Sequence, residues 1–350
     1  MQNSNSRKSL VLAAALFSAT AALATDYTFI VLTNAPGHPA GINDSNQIVG
    51  SFGGSHGFIY TLSSMTWTQF DVPAASSTWL NGINNKGEMA GKFVDMLMGG
   101  IYAYANGYGY QYTTGGYYDN VANGINNQET VVGHAHWTWY PDNADGACVA
   151  ANCPTGSAMS MWGYHIFGCE AWGNSINDNG TVAGSYVDGS GHNHGFRCSA
   201  SGVDPVTLDY PDKSHTFPTG INNFGTMVGY YYTSYGSYDG NGFVYDGTSW
   251  VTVNYPGAVK TFITGINNRG NLVGWFVAND FNGTQYSFVA FPSQALTLTP
   301  IGGGQLTVTW SGTLLETTNL ASGIWTTNTH ASPYTFTPSG QQKFFRTIQP

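Results

Sequence analysis

The chain has 350 residues, 42% hydrophobic and 15% aromatic, with 46 glycines and only 8% charged side chains. Its formal net charge of −9 argues against a basic groove for nucleic acid, while the apolar content is ample for a core. Low charge with many Tyr, Asn, Thr and Gly describes a surface that hydrogen-bonds and stacks, so a neutral polysaccharide is the expected ligand class.

Arg7 and Lys8 precede an apolar, small-residue run from Leu10 to Leu23, and Ala22-Leu23-Ala24 has the pattern of a signal-peptidase site. Residues 1–24 are therefore expected to be a signal peptide, the run being short for a membrane span. The mature chain would begin near Thr25 with eight basic against nineteen acidic residues, a charge of about −11. It is expected to be secreted or at the cell surface, with no transmembrane segment and an extracellular polysaccharide or cell-surface component as partner. No nucleic-acid partner and no cofactor are expected.

From Gly41 onward one phrase recurs six times. A Gly or Ser opens Gly-Ile-Asn, a polar turn follows, and a Gly stands nine residues after the start. The copies begin at Gly41, Gly82, Gly124, Ser175, Gly220 and Gly265, at intervals of 41, 42, 51, 45 and 45 residues. That period belongs to four-stranded propeller blades. In the fifth copy, Thr216–Asn222 reads as the first strand, Asn223-Phe224-Gly225 as a tight turn and Thr226–Tyr232 as the second. Gly242–Tyr245 and Trp250–Tyr255 complete the blade. The sixth copy lacks a fourth strand, whereas Asp26–Leu32 stands where a fourth strand would precede the first copy. The expected fold is thus an all-β, six-bladed propeller over residues 25–292, closed by the N-terminal strand.

Residues 293–350 leave the repeat. Short alternating segments there predict a small β-sandwich-like C-terminal domain. Four cysteines, Cys148, Cys153, Cys169 and Cys198, lie between the third and fourth copies or within the fourth. In an exported chain they read as two disulfides, Cys148 with Cys153 and Cys169 with Cys198 among three arrangements.

The phrases Gly82-Ile-Asn-Asn-Lys-Gly with Ala90-Gly91, and His56-Gly-Phe-Ile-Tyr60 or His194-Gly-Phe196, resemble the HAF-type repeats of secreted bacterial proteins. The likeness covers residues 26 to 291 and departs at Gly100-Ile101, Gly163-Tyr164 and Ser287-Phe288. The tail, with Leu314, Leu320, Trp325 and Phe344-Phe345-Arg346, is similar to short C-terminal domains of other secreted bacterial proteins. The resemblance implies export and repetition, and it carries no activity.

Function is expected where the copies differ. Five residues before each anchor stand Pro36, Ser77, Asp119, Glu170, His215 and Lys260. The first strand of a blade lines the propeller axis, so Asp119, Glu170, His215 and Lys260 could form an acid–base ring at its mouth. A solvated rim explains the same residues and is the preferred reading. Two residues nearer the anchor, His38, Trp79, Val121, Trp172, Phe217 and Phe262 could stack sugar rings, or plug the axis. Variable loops add Trp137, Trp139, Tyr140, Asp142, Tyr235, Tyr238 and Asp239 as ligand-binding candidates. His134 and His136 share one strand face and make a candidate metal pair. The expected protein is an extracellular binding module. The alternatives are a glycan-degrading hydrolase or lyase, and a purely structural surface protein.

Overall fold

The computed structural model describes residues 27–95, 100–105, 108–109, 120–136, 145–150, 162–164, 171–201, 205–234, 236–293, 297–310, 313–318, 324–338 and 343–348. Among these the chain is all β, and it forms a β-propeller. No described helix is long and apolar enough to cross a membrane.

Six four-stranded antiparallel sheets follow one another along the chain. The first comprises His38–Ile42, Gln47–Phe52, His56–Thr61 and Thr66–Phe70. The second to fifth open at Ser77–Ile83, Asn120–Ile125, Ala171–Ile176 and His215–Ile221. The sixth holds Ala258–Ile266, Leu272–Ala278 and Gln285–Pro292, and its outermost strand is Tyr27–Val31 from the other end of the chain. That strand runs antiparallel to its partner, with Tyr27 opposite Pro292 and Val31 opposite Phe288. The last segment forms two three-stranded sheets.

Alternation places one row of each sheet between neighbours. Ile48, Phe58 and Tyr60 of the first sheet pack with Val273 and Val289 of the sixth, and the first sheet's Val49 packs with Leu80 and Phe93 of the second. The inner strands approach closely at the anchor glycines. A Cβ on Gly82 would stand 2.7 Å from the Asn123 carbonyl oxygen of the next sheet, so the repeat excludes a side chain there. Ser175 is the exception, and its hydroxyl accepts the Ile221 N–H at 3.3 Å.

The asparagine of each Gly-Ile-Asn phrase is 2–5% exposed. Its Oδ1 accepts backbone N–H groups two and four residues on, as Asn126 does from Gln128 and Thr130. Its amide nitrogen reaches the backbone carbonyl of the same asparagine in the next sheet. Asn43 donates to Asn84, Asn84 to Asn126, Asn126 to Asn177, Asn177 to Asn222 and Asn222 to Asn267, at 2.9–3.4 Å. Asn267 then donates to Asn43 at 3.0 Å. One side chain thus satisfies both its own turn and its neighbour, as buried polar groups require.

Candidate functional site

The axis differs at its two ends. At the turn end, the next residue of each copy forms a further chain of bonds in which each backbone N–H meets the side-chain oxygen of the following copy. It runs from Asp44 through Asn85, Asn127, Asp178, Asn223 and Asn268 back to Asp44, every step at 2.8–2.9 Å. The amides of Asn85 and Asn268 converge on the Asp44 carboxylate, and those of Asn127 and Asn223 on Asp178. Only a cavity of about 60 Å³ remains there. The polar atoms at this end are engaged with one another.

The other end opens. Between the first and second sheets lies a cleft of about 480 Å³, lined by Pro36, His38, Phe52, Trp79 and Leu80 with the Gly53-Gly54 turn. That volume falls in the range of ligand pockets, about 300–1,000 Å³. His38 opens the first strand of the first sheet, its ring 4.7 Å from that of Trp275 in the sixth, Trp79 lies in the first strand of the second sheet, and Phe52 ends the second strand of the first. Lys92 stands over the Trp79 ring, with Nζ 5.2 Å from its centroid. Burial lowers the pKa of His38, partly offset by a hydrogen bond with Gln285, so its imidazole is uncharged at neutral pH. The cleft is therefore walled by aromatic rings, one of which, Trp79, also carries Lys92.

Across the axis, histidines and carboxylates gather where the fourth sheet meets the fifth. His194 Nδ1 lies 2.8 Å from Asp209 Oδ2, and its Nε2 lies 3.4 Å from Asp188 Oδ2. Burial works against a charge on His194, but the two carboxylates raise its pKa. Asp188 is held well below the usual carboxylate range, first by the His192 backbone N–H and then by Ser190, His194 and His192. A similar pair, His56 with Asp71 at 3.0 Å, latches the third strand of the first sheet to the segment after its fourth. In the fifth sheet Asn241 and Asn254 make the neutral counterpart.

The acid–base ring does not assemble among the described residues. Asp119 and Glu170 lie outside them. His215 is 7% exposed, with Nδ1 accepting from Asn193, and Lys260 is half-buried in the sixth sheet. The aromatic row divides. Trp79 lines the cleft and Trp172 is half-buried, while Phe217 stacks on Tyr230 at 4.8 Å and Phe262 on Trp275 at 4.1 Å. Trp137, Trp139, Tyr140, Asp142 and Tyr235 lie outside the described residues. Tyr238 is exposed, but Asp239 serves its own loop. Burial would raise the Asp239 carboxyl, yet hydrogen bonds from Thr233 and Ser237 hold it below the usual range.

His134 pairs with Ala147, and His136 with Asp145, across the third sheet. Among the described residues no three His, Cys, Asp or Glu side chains gather as a metal site. Among the described residues Cys198 is a free, buried thiol, and Cys169, expected to bridge to it, lies outside them. Cys198 lies on the packed face of its strand with Val182 and Phe196, and burial pushes its pKa up to about 11. Cys153 and Cys169 lie outside the described residues, as does the side chain of Cys148. Sequence reasoning missed Phe52 and Trp275, and reached Asp188 and Asn193 only as the ends of a variable loop. The repeated asparagines were visible as a fixed offset in all six copies, but their bonds between sheets were not.

No family model matches this chain, and no curated protein matches it. It is similar to the solved structure of a candidate TolB from Agrobacterium tumefaciens, with 13% identity, 76% of this chain and 91% of that chain covered, and a TM-score of 0.48. The β-propeller domain of the Trilobed protease from Pyrococcus furiosus is 9% identical over 72% of this chain and 80% of that one, with a TM-score of 0.43. An acylaminoacyl peptidase from Pyrococcus horikoshii is 9% identical over 79% and 49%, with a TM-score of 0.41. These likenesses concern the propeller fold. The expected ligand is corrected by the structure, where much of the aromatic row assigned to sugar rings stacks on its own neighbours. Polysaccharide binding and glycan cleavage are set aside, and the chain is similar in fold to the propellers of TolB and peptidases.

Proposed function

We propose that this protein is an extracytoplasmic polypeptide-recognition propeller, whose cleft between the first and second blades takes an apolar or proline-containing stretch of an extended chain. The single observation carrying this reading is the cleft of about 480 Å³ with His38, Phe52 and Trp79 on its walls. Aromatic grooves bind extended, proline-bearing segments because flat rings cover apolar surface and the segment has little conformational entropy to lose.

The frame in this reading has six blades closed by the N-terminal strand. The pairing of Tyr27–Val31 with the sixth sheet and the return of the asparagine bonds from Asn267 to Asn43 support it. Export rests on the basic, apolar and small-residue pattern of residues 7–24, and membership of the HAF-type repeats on the phrases at Gly82, His56 and His194. Buried Val308, Leu314 and Leu315 support a small sandwich-like domain after residue 292.

Peptide display against the full mature chain tests the reading. Enriched peptides should carry Pro or aromatic residues, and Trp79→Ala should weaken them about tenfold or more, as loss of a buried aromatic contact does. Phe281→Ala, on a fully exposed side chain, should leave binding unchanged. No enrichment, or equal binding by Trp79→Ala, would remove the proposal.

A further inference from the structure

The connection Asp188–Asn193 joins the second and third strands of the fourth sheet and reaches the first strand of the fifth. Asp188 Oδ1 closes it by accepting the Ser190 and His192 N–H groups at 2.9 and 2.8 Å. Its far end meets His215. The backbone N–H of Asn193 donates to His215 Nδ1 at 3.1 Å, and the Asn193 amide nitrogen lies 3.2 Å from the same atom. A ring nitrogen that accepts carries no proton, so this contact requires neutral His215 with its hydrogen on Nε2.

His194 stands in the opposite situation. Both of its nitrogens face carboxylates, Asp209 on one side and Asp188 on the other, which suits a doubly protonated ring. His192 adds a third imidazole, 5.8 Å from His215 and 6.4 Å from His194 between ring centroids, with Nδ1 3.4 Å from Asp188. Tyr232 of the adjacent strand faces His215 at 6.0 Å, and Tyr186 stacks on His194 at 5.1 Å. A proton arriving at His215 Nδ1 would set a donor against two donors, beside two further histidines.

We propose that this cluster is a proton-operated catch: neutral His215 holds the Asp188–Asn193 loop to the fifth sheet, and protonation of His215 releases it. The device stands apart from whatever the cleft binds, since it lies across the axis and its contacts are its own. Burial lowers the pKa of His215, the nearby His192 and His194 lower it further and Asp188 opposes them in part, so release falls below the ordinary histidine value.

Amide hydrogen exchange of the full mature chain, corrected for intrinsic pH dependence, tests the catch at Asn193. The internal reference is Thr284, whose N–H is held by Asp280 at 2.9 Å in the corresponding loop of the sixth sheet, which has no histidine. Between about pH 7.5 and about pH 5, protection at Asn193 should fall roughly tenfold, the equivalent of one lost hydrogen bond, while Thr284 holds steady. In His215→Gln, with Thr284 still protected as a check of folding, the pH response at Asn193 should vanish. Equal protection of Asn193 at both pH values, or a pH response that persists in His215→Gln, overturns the proposal.

Discussion

Asn126 shows how much one repeated side chain carries. Its replacement by Ala strands the Gln128 and Thr130 N–H groups and the Asn177 carbonyl together. A buried group left unpaired costs about 1–3 kcal/mol, and of the three only the Asn177 carbonyl bond is buried while Gln128 is exposed and Thr130 half-buried, so Asn126→Ala should lower unfolding stability in urea by roughly 2 kcal/mol. Asn123→Ala, which removes from a half-buried position a bond to the Gly173 carbonyl and a longer one from the Asn81 amide at 3.4 Å, should cost about 1 kcal/mol. The histidines beside the fourth sheet contribute with opposite signs. The raised pKa of His194 means that its stabilisation is fully present below the ordinary histidine value and fades as pH rises through the folded value. The lowered pKa of His215 means the reverse: its stabilisation is present above the ordinary value and is lost as pH falls through the folded one.

Among the strands, Tyr27–Val31 has the largest separation from its partner in sequence. Phe29 inserts its ring edge-on against Tyr255 at 5.3 Å and Phe288 at 5.1 Å, tying the chain's beginning to the fifth and sixth sheets. A chain lacking residues 27–31 loses those contacts and leaves Gln285–Pro292 as an open edge. Its melting temperature should fall by roughly 10 °C or more, with a broader transition by calorimetry. The strand's role was legible because the sixth copy lacks a fourth strand while an alternating segment precedes the first. The bond between Ser175 and Ile221 was not legible, because the anchor serine meets its partner only when two sheets are set side by side.

For the molecule as a whole, the two aspartates of the turn-end ring are its most economical feature. Asp44 and Asp178 stand three copies apart in a ring of six, and each receives amide groups from both neighbouring copies. Hydrogen bonds to charged acceptors contribute about 1.5–3 kcal/mol, so Asp44→Asn and Asp178→Asn should each destabilise by roughly 2 kcal/mol in chemical denaturation. The two sets of amides do not overlap, and the double variant should be additive to within about 0.5 kcal/mol.

Period, turn chemistry and the order of strands could be read from the chain, because each depends on residues a few positions apart and on local backbone preference. The asparagine offset was equally plain, though not its bonds. The cleft, the catch and the state of Cys198 were decided elsewhere. Phe52 and Trp79 belong to different sheets, Asn193 reaches His215 across a boundary between sheets, and Cys198 is set by the face on which its strand packs. Such contacts join residues whose separation in the chain says nothing of their distance, so only the packing of sheet against sheet brings them together.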